Sequence, residues 1–338
     1  MNRDELLSMR LHHQYLARPC QDHLLLAEAA CGLQAQYYNN VYYSMIIRCG
    51  NKKIDGWDKN LLKTWTLRGT LHAVPPKDLS LYVSFLHGNA YITKRDLQLD
   101  YLNQLADEVM SYIQAGVGSR QELKKIFQRR IKDSQIIDLV FSSWGGIFTL
   151  LASQGRIVFN SVSGRDFCAV KSDVQTYSRE MALDDLLRRY YKFYGPATVA
   201  DAAKFLGVAQ SLIKQRLKNI TGLKHYFLNS KEYYCLYDLI TDYEIPQICF
   251  LTGFDPLIIG YKDVDLILEE IYLRRIITLT GIIKPAVMVN GKIYGHWSIK
   301  KKALYIELFK PLDAKAKRRL NEYALNIFED IVIDIVMQ

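Results

Sequence analysis

Apolar residues recur at helical spacing through the first 45 positions: Leu6, Leu7, Leu11 and Leu16, then Leu24, Leu25, Leu26, Ala30 and Leu33. Pro19 and Cys20 interrupt this run. Asp22 is placed to cap the second helix, and Asn39 and Asn40 are suited to end it. After a turn across residues 50–56, a helix is expected from near Asp58 through Leu61 and Leu62. It leads into TWTLRGTLHAV, whose Thr, Trp and Val content predicts extended chain folded about Gly69. Residues 77–115 read as helical again, and Ser119 is the candidate cap for SRQELKKIFQRRI. A longer helix over 138–154 should stop at Gly155. RIVF, a turn at Ser163 and Gly164, and DFCAV then form strand, turn and strand.

Helix, helix and hairpin in that order is the layout of a winged helix, and the order returns downstream. TVADAAKFLGVAQSLIKQRLKNI reads as a helix capped by Thr198, a tight turn at Gly207 and a second helix over 210–219. KHYFLNSKEYYCLY then alternates about Asn229 and Ser230 as a hairpin. The second helix would present Gln210, Lys214, Gln215 and Lys218 to a groove, so Gln210, Lys214 and Lys218 are the candidate DNA contacts. From about Phe250 the text turns strand-rich: IITLTG, KPAVMVNGKIYGHW with an Asn290 and Gly291 type I′ turn, and KKALYIELF. A final helix is expected over 314–328, with Lys315, Lys317, Arg318 and Arg319 near its start. The expected fold class is α+β: tandem winged-helix units, residues 1–117, 118–175 and 176–245, followed by a β-barrel-like domain over 246–338.

Composition sharpens this picture in three ways. A chain of 338 residues is long enough for two or three cores, and 49% hydrophobic against 23% charged residues is a globular balance. A net charge of +9 favours polyanionic partners, and 23 tyrosines include rings able to stack on unpaired bases. The six cysteines show no CxxC pair or zinc-finger spacing, so neither a structural metal nor a cofactor is expected. MNRDELLSMR lacks the apolar core of a secretion signal, and the apolar IVIDIVM is short and split by Asp334. Both point to a cytoplasmic setting with reduced thiols and no membrane span.

Three stretches carry a more specific signal: GLQAQ at 32–36, TWTLRGTLH at 64–72 and FDPLIIGYKD at 254–263. With GPATVADAAKFLG from Gly195 and PAVMVNGKIYGHW from Pro285, they resemble, in order and across nearly the whole chain, the winged-helix DNA glycosylase family that includes the azinomycin-resistance glycosylase. Members of that family resemble a row of three winged-helix units ending in a β-barrel. Their catalytic pattern is a Gln, an apolar residue and a second Gln or Asp, matched here by Gln34, Ala35 and Gln36. A second pattern of Thr or Ser, an apolar residue and His falls on Thr70, Leu71 and His72. Glutamine at the second catalytic position is similar to the crosslink-unhooking branch. Val264 and Ser298 stand where the family often has arginine, which bears on C-terminal DNA contacts and not on the catalytic pattern.

The resemblance implies a monofunctional glycosylase acting as a monomer on double-stranded DNA, with N7- or N3-alkylated purines, crosslinked guanines among them, as substrates. It places no lysine near the motif for a Schiff-base step. Alkylation leaves the base cationic and ready to depart, so the enzyme need only position a water at the anomeric carbon and stabilise an oxocarbenium-like sugar. Neutral amides can position water through their carbonyl and NH₂ groups. Residues two apart face away from each other on a helix but share a face on extended chain, so the QAQ motif implies a helix terminus or distortion. His72 would support the pair by orienting the water, contacting phosphate or satisfying Gln36. Thr70 and Arg68 are further supporting candidates, Arg68 as a phosphate contact or an internal ion pair. Asp255 and Asp263, beside Pro256 and Gly260, read as turn formers. QAQ alone is a common surface-helix fragment. The alternative reading is a non-catalytic winged-helix DNA-binding protein or transcriptional regulator, although tandem units in one chain fit a symmetric dimer on a palindrome less well.

Overall fold

The computed structural model describes residues 1–50, 54, 56–86, 98–161, 164–240, 242–301, 303–328 and 332–337, the last stretch by its backbone alone. The chain divides into two compact units, Met1–Trp57 with Leu186–Gln338, and Asp58–Asp185.

The first unit opens with helix α1 (Arg3–His13), started by a capping box between Asn2 and Glu5 and burying Leu6, Leu7, Met9 and Leu11. Helix α2 (His23–Ala29) is capped by Asp22, whose carboxylate accepts from the Leu24 N–H at 2.8 Å. It ends well before Asn39 and Asn40, which instead lie in the first turn of α3 (Tyr38–Cys49). The reason is a left-handed turn at Cys31 (φ 55°) and Gly32 (φ 87°), which delivers the chain into a two-residue strand, β1 (Leu33–Gln34). Helix α3 buries Val41, Met45 and Ile47 and ends at left-handed Gly50.

In the second unit the helix expected from Asp58 is a single 3-10 turn, Trp57–Lys59. Leu62 lies in strand β2 (Leu62–Trp65), which pairs antiparallel with β3 (Leu71–Val74) and sets Thr64 opposite His72. The β-branched and aromatic residues beyond Leu62 favour the ladder over another helical turn. Helices α4 (Leu79–Leu86) and α5 (Leu99–Gln114) occupy the region read as helical, of which 87–97 lies outside the described residues. Helix α6 (Arg120–Gln128) follows Ser119, which sits at the cap position without a side-chain bond. The long helix expected over 138–154 is two, α7 (Ser134–Val140) and α8 (Ile147–Ser153). Gly145 (φ 134°) and Gly146 (φ 54°) adopt conformations no helix interior tolerates, and they split it. Gly155 stops α8, and β4 (Ile157–Phe159) pairs with β5 (Phe167–Ala169); Ser163, assigned to their turn, lies outside the described residues. Phe148 stacks on Phe167 with ring centroids 4.2 Å apart, within a core that includes Val109, Leu123 and Phe141.

Helix α9 (Arg179–Phe193) returns the chain to the first unit. Helix α10 (Val199–Leu206) is capped by Thr198 in a reciprocal box with Asp201, turns at left-handed Gly207, and is followed by α11 (Gln210–Arg216), which a 3-10 turn extends to Asn219. Strands β6 (Lys224–Leu228) and β7 (Lys231–Cys235) form a hairpin about Asn229 and Ser230, both at positive φ as a type I′ turn requires.

The remaining strands, β8 (Ile248–Leu251), β9 (Ala286–Val289), β10 (Lys292–Lys300), β11 (Ala303–Leu308) and β12 (Val332–Met337), make one sheet in the order β12-β11-β10-β9-β8. IITLTG, expected as a strand, is not one. Short helices α12 (Pro256–Ile259) and α13 (Leu273–Ile276) precede it, and the Thr278 hydroxyl accepts from the Ile282 N–H at 3.0 Å, folding the stretch into a loop. The barrel expected here does not close: among the described residues β8 is bonded to β9 and β12 to β11, and the sheet is open. Helix α14 (Ala314–Ile327) carries the chain from β11 to β12, which therefore runs parallel to β11 and leaves the antiparallel meander. That helix packs against the sheet, burying Leu320, Ala324 and Ile327 and stacking Tyr323 on Phe250 at 5.8 Å. No helix among the described residues is long and apolar enough to cross a membrane.

Candidate functional site

The QAQ segment takes its shape from how α2 ends. Gly32 N–H donates to the Ala27 carbonyl at 2.8 Å and Cys31 N–H to the Glu28 carbonyl at 3.2 Å, the paired bonds of a Schellman cap. The Tyr194 hydroxyl donates to the Ala30 carbonyl at 2.9 Å and fixes this corner. The chain then runs extended, with Leu33 and Ala35 buried, Gln34 half-buried and Gln36 exposed. Alternating burial leaves both glutamines less buried than their neighbours, Gln34 on the strand and Gln36 in the bend immediately before the α3 cap at Tyr37.

The same unit holds a buried lock that sequence reasoning did not single out. Arg48, near the end of α3, makes two bonds to the Asp255 carboxylate at 3.0 and 2.7 Å, and both side chains are fully buried. Arg48 also donates to the Gln14 carbonyl at 3.0 Å, while Asp255 accepts from Thr252 N–H at 3.0 Å and Leu257 N–H at 2.9 Å. Asp255 is thus a turn former, capping α12, and also the counter-charge that ties α3, the end of α1 and the Thr252 loop together. The available signal was an arginine within the otherwise apolar run SMIIRC. Asp263 is exposed, in keeping with a turn role. Tyr43 extends the anchorage of α3 to the sheet, with its ring 5.5 Å from that of Trp297.

His72 lies in the second unit, beside the Leu67–Gly69 turn. Across that turn Thr66 N–H donates to the Thr70 carbonyl at 3.0 Å, and the Thr70 hydroxyl donates to the Leu67 carbonyl at 3.0 Å. His72 Nδ1 lies 2.7 Å from the Thr66 hydroxyl and 3.2 Å from the Thr70 carbonyl. Burial, helped by the Arg68 charge, pushes its pKa down to about 3, so the imidazole is neutral at pH 7. Arg68 occupies a left-handed position (φ 56°) in this turn and is half-buried.

His13 at the end of α1 behaves similarly: Nδ1 sits 2.7 Å from the Gly195 carbonyl, and burial pushes the pKa down to about 4. Both imidazoles protonate more readily in the unfolded chain, so their contribution is fully present above about pH 6.5 and is lost as pH falls toward the folded values. From pH 7 to pH 5 each is expected to lower stability by about 2 kcal/mol. Denaturant midpoints at the two pH values check this, and a pH dependence unchanged by His13→Gln and His72→Gln would refute it.

Gln210, Lys214 and Gln215 on α11 and Lys218 on its 3-10 extension are all exposed. Gln210 and Lys214 also line a cleft of about 630 Å³ with Lys231, Lys262, Glu232 and Asp265, a lining of both signs. At its edge Arg10 lies 3.6 Å from the Tyr261 ring centroid and donates to the Pro196 carbonyl at 2.9 Å. Among the described residues no cluster of three or more His, Cys, Asp or Glu side chains is arranged to hold a metal ion.

Comparison with known proteins places this architecture. The solved structure of Streptomyces sahachiroi DNA glycosylase AlkZ matches with a TM-score of 0.83 over 100% of both chains at 19% identity, a likeness of fold. A curated relative, an interstrand DNA cross-link repair glycosylase of Streptomyces sahachiroi, is 23% identical over 313 residues, covering 82% of each chain. The family described as DNA glycosylase AlkZ-like matches residues 27–325, from α2 through most of α14. The chain belongs to the AlkZ-like DNA glycosylase family.

Proposed function

We propose that this protein is a monofunctional DNA glycosylase that excises N7- or N3-alkylated purines from duplex DNA, with Gln34 and Gln36 positioning the water that attacks the anomeric carbon. The observation that carries this reading is the alternating burial along the Leu33–Gln34 strand and the bend after it, which leaves Gln34 half-buried and Gln36 exposed between buried Leu33 and Ala35 beside a braced corner, in a chain of this family. Amides hold and orient water without a proton-transfer role, and a cationic base needs no general acid. The low pKa of His72 favours a neutral, bracing role for it over proton transfer or a charged phosphate contact. Thr70 holds the same turn, and Arg68 supplies the nearby positive charge. The relative named for interstrand cross-link repair makes crosslinked guanines the substrates to test beside N7-methylguanine.

We read the fold as tandem winged-helix units over 1–117, 118–175 and 176–245 followed by a β-rich segment over 246–338, the protein acting as a monomer. The order α6, α7, α8, β4, β5 and the order α9, α10, α11, β6, β7 support this. In that reading Gln210, Lys214 and Lys218 on α11 and its 3-10 extension face DNA. Replacing Lys214 and Lys218 by Ala is expected to lower the steepness of log affinity against log salt by about 1 for each phosphate that a lysine neutralises. An unchanged slope would remove α11 from the interface.

The test of the activity is release of free base from duplexes carrying N7-methylguanine, an N7 crosslink or no lesion. Release from the lesion duplexes alone is expected. Tight binding to one undamaged sequence with no base release would favour a non-catalytic regulator instead.

A further inference from the structure

Three of the four tryptophans are buried, Trp57, Trp65 and Trp297 at 1, 7 and 3% exposure, whereas Trp144 stands 89% exposed between α7 and α8. The turn that holds it is fixed. A Cβ at Gly145 would fall 2.2 Å from Thr149 Cγ2, and one at Gly146 would fall 2.1 Å from the Val140 carbonyl oxygen. Trp144 N–H donates to the Ser142 hydroxyl at 3.3 Å and Gly145 N–H to the Ser142 carbonyl at 3.1 Å. Arg120 donates to that same carbonyl while its guanidinium lies 4.7 Å from the Phe148 ring centroid. A large apolar ring is thus displayed in water on a braced pedestal, where the hydrophobic effect favours covering it and little conformational freedom remains to be lost on binding.

The surroundings indicate what covers it. Between Arg120 and Lys132 the chain carries six basic residues and one acidic residue, and Lys125, Arg129 and Lys132 lie along this stretch. Lys124 pairs with Asp138 at 2.8 Å, tying this basic helix to α7, which leads into the turn. A ring that stacks on any base, on a turn bonded to the first residue of a helix whose run carries exposed cations suited to phosphates, matches nucleic acid better than an apolar protein groove.

We propose that Trp144 is a DNA-contacting side chain that stacks on an unpaired or unstacked base, with Lys125, Arg129 and Lys132 meeting the adjoining phosphates. The inference rests on the DNA-binding half of the proposed function and not on its chemistry.

Because Trp144 alone among the four tryptophans is exposed, acrylamide quenching of intrinsic fluorescence reports on it selectively. The probe is a short duplex with one abasic-site analogue, which leaves the opposing base unpaired. At saturation, judged by anisotropy of a labelled copy, Trp144 is expected to be shielded from acrylamide. Trp144→Ala should weaken binding about tenfold and Trp144→Phe less than about threefold, since a phenyl ring still stacks. Undiminished acrylamide quenching at saturation, wild-type affinity in Trp144→Ala, or no DNA binding by the wild type overturns the proposal. Base release with Trp144 unshielded sinks this inference alone; shielding of Trp144 without base release sinks the glycosylase reading alone.

Discussion

Gln34→Ala and Gln36→Ala are each expected to slow release of N7-methylguanine from duplex DNA by about 100-fold, with DNA affinity little changed. Ala35 and Leu33 supply the burial on this stretch, while Gln34 is half-buried and Gln36 exposed, so truncating either amide opens no core cavity. If the two amides hold one water, the double variant should be only modestly slower than the worse single variant, because groups acting as a unit are not additive. Single-turnover assays on a defined lesion separate this chemical step from product release. Wild-type rates in the double variant would end the catalytic assignment. A loss matched by an equal loss of binding would make the glutamines DNA contacts instead.

Asp255→Ala is expected to destabilise the protein by about 3–5 kcal/mol, because Arg48 would keep its charge in a fully buried position with its bidentate partner gone. The same change removes the acceptor for Thr252 and Leu257 N–H groups, so α12 loses its cap as well. Asp255→Asn retains an acceptor for those amides and should cost less, which isolates the charge. Replacing Arg48 and Asp255 together by Met and Leu should recover part of the loss, since an apolar pair leaves no stranded ion. Denaturant midpoints across this cycle measure the coupling. A loss below about 1 kcal/mol in Asp255→Ala would mean that water relieves the arginine and that the pair is not the lock of the first unit.

Local chemistry was legible wherever it decides structure locally. Asp22 and Thr198 cap the helices they were expected to cap, and Gly207 turns α10 toward α11. Asn229 with Ser230 and Asn290 with Gly291 adopt the positive φ their hairpins need. The TWTLRGTLHAV stretch reads as extended chain folded about Gly69, and it forms two paired strands around the Leu67–Gly69 turn. Even the conformation of the QAQ motif followed in part, since two glutamines two apart can share a face only off the regular helix. Misread were the Gly145–Gly146 break inside an expected helix, the helix stop at Asn39 and Asn40, and segments whose local preference is weak. Leu61 and Leu62 suit a helix or a strand, and IITLTG carries β-branched residues that a Thr278 bond folds into a loop.

By itself, then, the sequence determined the Asp22 and Thr198 caps and the Gly207, Asn229 and Asn290 turns, while the glutamines and histidine to watch came from resemblance to a family. Each of these caps and turns depends on residues within a few positions of one another, where φ/ψ limits and side-chain bonds to the backbone act directly. Tertiary structure alone decided the rest. Arg48 and Asp255 lie 207 residues apart and meet in the interior. The Tyr194 hydroxyl reaches across 164 residues to hold the Ala30 corner. The parallel crossover of α14 left the sheet open where a barrel was expected, and the fate of His72 as a neutral imidazole was set by burial. Desolvation, ion pairing and sheet closure depend on which distant segments exclude water from a group, and spacing along the chain carries no record of that.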